Sequence, residues 1–134
     1  MPKADKLSSA ATRMLQEKHL AQLATVMPNG SPHITPVWVD AEDDGSFVLI
    51  NTVEGRLKLK NLTQNKYVAV SVVDAEDWRR YVLVRGVVEE QSKEGADQHI
   101  EKLSMKYRGE HFHHATDDRV ILRIRPLFVT EHGA

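Results

Sequence analysis

Short runs of β-branched and aliphatic residues, each closed by a tight polar turn, recur along most of this 134-residue chain. That punctuation constrains the fold more than any other feature, because strands separated by two- to six-residue turns can pair only with antiparallel neighbours. The stretch His19 to Val26 reads as a buried strand, and MPNGSP (27–32) supplies Pro28, Asn29 and Gly30 for a hairpin into a second strand, His33 to Val39. After the turn at AEDDGS, with Gly45, the apolar run Phe47 to Asn51 reads as a third, central strand. Tyr67 to Asp74 and Tyr81 to Glu90 follow as a fourth and fifth, with Gly86 a candidate bulge or point of close approach. Arg119 to Pro126 alternates strictly, placing Val120, Leu122 and Ile124 on one face and arginines on the other.

Helical signals are few. Residues 1–6 read as frayed; from Ser8 or Ser9 to Lys18, helix formers follow a serine cap, giving an N-terminal helical segment within 1–18. Ser92 reads as the cap of a helix over 92–107, whose apolar stripe is Ala96, Ile100, Leu103 and Tyr107. Six antiparallel strands with so little helix to cover them suggest a barrel in a single domain, 1–134, and a homodimer would cover a barrel face.

Composition removes several classes of function. Eighteen Lys and Arg against nineteen Asp and Glu leave a net charge of −1, so no basic field recruits nucleic acid or a membrane surface. An anionic ligand must be held by a local cluster. The absence of cysteine excludes disulfides, thiolate metal sites and a cysteine nucleophile, and no apolar leader or ~20-residue apolar run is present, so a cytoplasmic location is expected. No GxSxG, GxGxxG or Walker loop occurs. His111, His113 and His114 crowd one loop, but adjacent positions rarely converge three imidazoles on one ion, and no metal is expected there.

The stretch NTVEGRLKLKNL (51–62) carries the strongest functional signal: a strand end, a glycine turn and a short helix with Arg56, Lys58 and Lys60. Residues two apart on a helix face different ways, so Arg56 and Lys58 reach one phosphate only if Arg56 lies in the turn before the helix. Spacing alone leaves a phosphate grip and an ordinary solvated face equally open. Trp78, Arg79, Arg80 and Tyr81 pose the same choice, between ring and carboxylate recognition and a plain hairpin tip.

Taken in order, LATVMPNGSPHITPVWVD (23–40), FVLINT (47–52), GRLKLKNL (55–62), VAVSVVD (68–74), RYVLVRGVVEE (80–90) and RVILRIRP (119–126) resemble the pyridoxamine 5′-phosphate oxidase-like split β-barrel family, in its branch of deazaflavin (coenzyme F420)-dependent oxidoreductases. The resemblance implies a mainly β, six-stranded antiparallel split barrel with short helices, homodimeric, with cofactor sites at the subunit interface. It assigns Arg56 and Lys58 to the cofactor phosphate with Asn61 nearby. Ile50, Asn51 and Thr52 would lie along the ring, facing Thr35, Pro36 and Val37. Trp78, Arg80 and Tyr81 would reach the site from the other subunit. A cofactor that brings its own hydride chemistry would explain the absence of catalytic motifs. Cations beyond the phosphate pair, Lys60, Arg79 and Arg80, favour the anionic tail of coenzyme F420 over flavin mononucleotide (FMN). The chain stops soon after RIRP, without the C-terminal segment of true pyridoxamine-phosphate oxidases, so vitamin B6 oxidation is not expected. The resulting expectation is hydride transfer from reduced F420 to a conjugated organic acceptor. The alternatives are an FMN-binding oxidase or reductase on the same scaffold, or a non-catalytic carrier of a cofactor or tetrapyrrole.

Overall fold

Ser8 opens the first helix: its backbone is extended and its Oγ accepts the Ala11 N–H at 3.1 Å, the usual way to satisfy a free donor at a helix start. Helix α1 (Ser9–Gln16) buries Ala11, Thr12, Met14 and Leu15. The computed structural model describes residues 4–134. Residues 1–3 of the segment expected to fray lie outside the described residues, and the Ala4 N–H donates to the Leu127 carbonyl at 2.7 Å.

The strands are β1 (Ala21–Val26), β2 (Pro32–Val37), β3 (Asp40–Ala41), β4 (Val48–Val53), β5 (Tyr67–Val73), β6 (Tyr81–Ser92) and β7 (Arg119–His132), with α2 (Leu57–Leu62) and α3 (Ala96–Arg108) between them. They form one antiparallel sheet in the order β2-β1-β5-β6-β7-β4-β3. Among the described residues, seven strands replace the six expected. The extra one arises because the chain turns at Trp38 and Val39, after which Asp40 and Ala41 pair with Leu49 and Val48.

That short step also explains the curl of the sheet. Strands β2 and β3 stand at opposite ends of the order, yet only Trp38 and Val39 separate them, so Val37 and Asp40 lie within about 10 Å of each other. The two edges must therefore curve toward one another without pairing, and α3 bridges the gap. The Tyr107 hydroxyl donates to the His19 carbonyl at 2.7 Å and accepts from the Val39 N–H at 3.1 Å, while its ring stacks on Trp38. Lys106 Nζ donates to the carbonyls of Leu15 (3.0 Å) and Val39 (2.5 Å).

Two further boundaries differ from expectation. Strand β7 passes through Pro126 rather than stopping there: the register shifts so that Gly86 faces Pro126 and Arg85 faces Phe128, leaving Leu127 as the extra residue of a bulge where the missing proline N–H does no harm. A Cβ on Gly86 would lie 2.5 Å from the Arg125 carbonyl oxygen, which is why glycine sits there. Helix α3 begins at Ala96 because Ser92 is still paired with Ile121 as the last residue of β6; Gly95, at φ 76°, makes the turn that Ser92 was expected to cap.

Met14, Leu15, Leu23, Ile50, Leu62, Leu122 and Ile124 fill the interior. Outside the sheet, Ala96 of α3 covers Leu49 and Ile121, so the short apolar runs Val48–Ile50 of β4 and Val120–Leu122 of β7 are covered on both faces. No helix among the described residues is long and apolar enough to cross a membrane.

Candidate functional site

Beyond β4, Gly55 turns the chain at φ 86° and Arg56 remains extended as the residue preceding α2, so Lys58 occupies the first helical turn. Leu59 and Leu62 anchor α2 in the core, and the buried Asn61 amide donates to Thr25 Oγ1 at 3.0 Å, which pins the helix to β1. Held this way, Lys58 is drawn in beside its apolar neighbour and is 9% exposed, whereas Lys60 faces solvent.

Arg56 and Lys58 open onto a cavity of about 410 Å³ between the ends of β2 and β4 and helix α3. Pro36, Val37 and Trp38 line one side, Asn51 and Thr52 another, and Leu20 and Ile100 complete the apolar part. Arg119, the first residue of β7 and the register partner of Val53, supplies another cation, with Phe112 of the 109–118 loop against its guanidinium at 5.1 Å. Among the described residues that line this cavity there is no carboxylate. Burial, and then the charges of Arg56 and Arg119, push the Lys58 amine below its ordinary range. Burial followed by Arg56 likewise lowers Arg119, although Asp118 opposes this, and Arg119 Nε is buried without a hydrogen-bond partner. Cations in partial desolvation that repel one another form a place for an anion with several acceptor oxygens.

Comparison with known proteins gives this geometry a lineage. The chain matches the family described as Pyridoxamine 5′-phosphate oxidase over residues 7–133. It belongs to that family. Among solved structures, an F420 reductase superposes with a TM-score of 0.81 at 28% identity, covering 92% of this chain and 98% of its own. A conserved hypothetical protein from Mycobacterium tuberculosis gives 0.69 at 22% identity, over 98% and 89% of the two chains. A candidate pyridoxamine 5′-phosphate oxidase from Lactobacillus delbrueckii gives 0.69 at 19%, over 97% and 99%. No curated protein matches the chain significantly.

In this pyridoxamine 5′-phosphate oxidase family member, the residues singled out in the sequence divide into three groups. Pro36, Val37, Asn51, Thr52, Arg56 and Lys58 line one cavity together. Ile50 and Asn61 do not: Ile50 alternates away from Asn51 into the core, and the Asn61 amide is spent on Thr25. Thr35 lies on β2 opposite Leu23, with its hydroxyl oxygen buried and unpartnered, outside the cavity lining. Trp78, Arg80 and Tyr81 sit at the β5–β6 connection and do not line the cavity of their own chain. Trp78 is 78% exposed, Tyr81 stacks on His132, and Arg80 Nη1 donates to Glu17 (2.9 Å) and Asp74 (2.8 Å).

The lining residues missed were Leu20, Trp38, Ile100, Phe112 and Arg119. Arg119 stands apart only in the fold: of the arginines in RVILRIRP, Arg123 pairs with Glu42 and Arg125 with Glu89, and Arg119 is the one left facing the cavity. Phe112 was hidden in the histidine-rich loop. There His111 and the Phe112 N–H both bind the Glu101 carboxylate, and His114 meets the Phe112 ring edge-on, so these histidines serve to place Phe112.

Proposed function

We propose that the protein is an oxidoreductase that holds coenzyme F420 by its phosphate and reduces a conjugated organic acceptor. The observation that carries this reading is the cavity in which Arg56, Lys58 and Arg119 meet with no carboxylate among the described lining residues. The 28% identity to an F420 reductase over nearly the whole of both chains favours the deazaflavin over FMN.

The residues present fit such a group. Lys58 and Arg119 would take phosphate oxygens, relieving the burial that disfavours their charge, with Arg56 at the rim. Pro36, Val37 and Thr52 would bound the planar ring, and Trp38 and Phe112 would exclude water from it. When bound, the reduced deazaflavin supplies the hydride, so the chain's task is to bind, orient and dry the site.

A second copy of the chain completes this reading. The outer face of β2-β1-β5-β6 carries a nearly apolar hollow lined by Ala24, Ile34, Ala69 and Leu83, with Ile34 62% exposed. A homodimer formed across that face would cover it and bring Trp78 and Tyr81 toward the partner's cavity. Ile34→Asp is expected to convert a dimer into a monomer by gel filtration; wild type eluting as a monomer removes the dimer from the account.

Fluorescence titration of the purified protein with each cofactor tests the central reading. Tighter binding of F420 than of FMN is expected, and equal or reversed affinities overturn the choice of cofactor.

A further inference from the structure

We infer that Asn51 is a fixed hydrogen-bond acceptor for an O–H or N–H donor of the bound cofactor, and that His99 and Asp40 are positioning residues that set its orientation. The inference rests on the cofactor reading above and adds residues to which neither the sequence nor the family match gave a role.

The orientation of the amide follows from its surroundings. Asn51 Nδ2 lies 2.9 Å from the Ala96 carbonyl oxygen, and a carbonyl only accepts, so the end of the amide facing α3 is the nitrogen. The same Nδ2 lies 3.2 Å from His99 Nδ1, which must therefore present its lone pair, leaving the imidazole proton on Nε2. His99 Nε2 faces Asp40 Oδ2 at 3.5 Å, and Lys102 Nζ approaches the same oxygen at 3.1 Å. Both His99 and Asp40 are almost fully enclosed, with side chains 8% and 3% exposed. Burial works against ionisation of Asp40, but His99, the Ala41 N–H and Lys102 outweigh it and hold the carboxyl at about 2, so the negative partner of Nε2 is permanent at neutral pH. The order Asp40, His99, Asn51 thus runs from a buried carboxylate to a residue that lines the cavity.

What this order leaves over is Asn51 Oδ1, which is buried and has no partner among the described residues. Buried polar atoms are seldom left so, and one on a cavity residue marks a missing ligand atom. Flipping the amide would put its oxygen against the Ala96 carbonyl, so the atom left without a partner is an acceptor. The donors that oxidised FMN and F420 share are the hydroxyls of the ribityl chain and the imide N–H of the ring. Asn51 stands two residues from Val53, the partner of Arg119, or about 7 Å along β4 from the cation cluster. That spacing favours a ribityl hydroxyl.

Three measurements on the intact protein decide the matter. With F420 and FMN as probes, His99→Leu and Asn51→Leu are each expected to weaken binding about tenfold, and His99→Gln, which keeps an acceptor for Asn51 Nδ2 and an N–H donor toward Asp40, to restore most of it. Wild-type protein is then titrated with 2′-deoxy-FMN and with N3-methyl-FMN, which requires no variant to fold. Loss of affinity for the deoxy analogue assigns the donor to the ribityl chain, and loss for the methyl analogue assigns it to the ring. Unchanged affinity for both analogues, or a Gln variant no better than the Leu variant, overturns the inference. Wild type that binds neither F420 nor FMN would instead sink the cofactor reading on which it stands.

Discussion

Two arginines in this protein experience opposite environments. Arg80 donates to Asp74 and Glu17, and these bonds raise its pKa, while the N–H groups of Glu76 first, then Arg80, hold Asp74 down at about 2. His19 joins the cluster by accepting the Ala75 N–H at 2.9 Å and lying 3.0 Å from Glu17. Arg119, by contrast, is half-buried beside Arg56 and Lys58 in a cavity whose described lining holds no acid, and its pKa is lowered. The first cluster ties the α1–β1 turn to the β5–β6 connection and is complete within the chain. The second is incomplete, and guanidinium groups do not relieve such strain by losing a proton at neutral pH. Charge compensated inside the fold serves the fold; charge left open in a cavity can take an anion.

The largest expected effect distinguishes these clusters by affinity. Lys58→Ala should weaken F420 binding by about 1.5 kcal/mol or more, the scale of a charge-assisted hydrogen bond, while Arg80→Ala leaves the dissociation constant within twofold. A loss of affinity in Arg80→Ala would instead mean that this residue reaches the partner's site, as the family resemblance implied. The second effect is on stability and runs the other way. Arg80→Ala should lower Tm, because Asp74 and Glu17 lose their common partner, whereas Lys58→Ala should hold or raise it by removing a repelled charge; calorimetry in the absence of cofactor reads both.

The smallest effect concerns Lys106, a half-buried cation of the closed, structural kind. Burial lowers its pKa from 10.5 to about 8, although Asp40 partly opposes this. Between those values the unfolded chain holds the proton and the folded one does not, so stability rises with pH from about 8 towards 10.5. A neutral amine keeps two hydrogens for the Leu15 and Val39 carbonyls, so the bonds survive the loss of charge. Lys106→Met should remove this rise from a series of denaturant melts.

Much of this arrangement was legible in the sequence because it is local. Alternation and turn residues located most strands to within a few positions, although β7 runs six residues past its expected end at Pro126, and NTVEGRLKLKNL put Arg56 in the turn and Lys58 in the helix as its spacing required. What escaped depended on pairing between distant segments. Arg119 reaches the cations through the β4–β7 register, and Phe112 is placed by Glu101 across a loop that by composition looks merely polar. Strand β3 is too short to leave a periodic signal and exists because β4 is there to pair with it. Asn61 follows the motif and stays on the same short helix as Lys58, but its amide bonds to Thr25, since packing rather than spacing decides which way a short helix turns its amide.

In the proposed function, a bound phosphate takes the place of the carboxylate that the described lining residues do not supply. Supplying one tests this directly. Phe112 already lies against the Arg119 guanidinium, so Phe112→Glu offers the missing partner and Phe112→Gln is its uncharged control. Measured side by side, the Glu variant should bind F420 at least about tenfold more weakly than the Gln variant and melt at a higher temperature. Equal affinities for the two would contradict the phosphate grip.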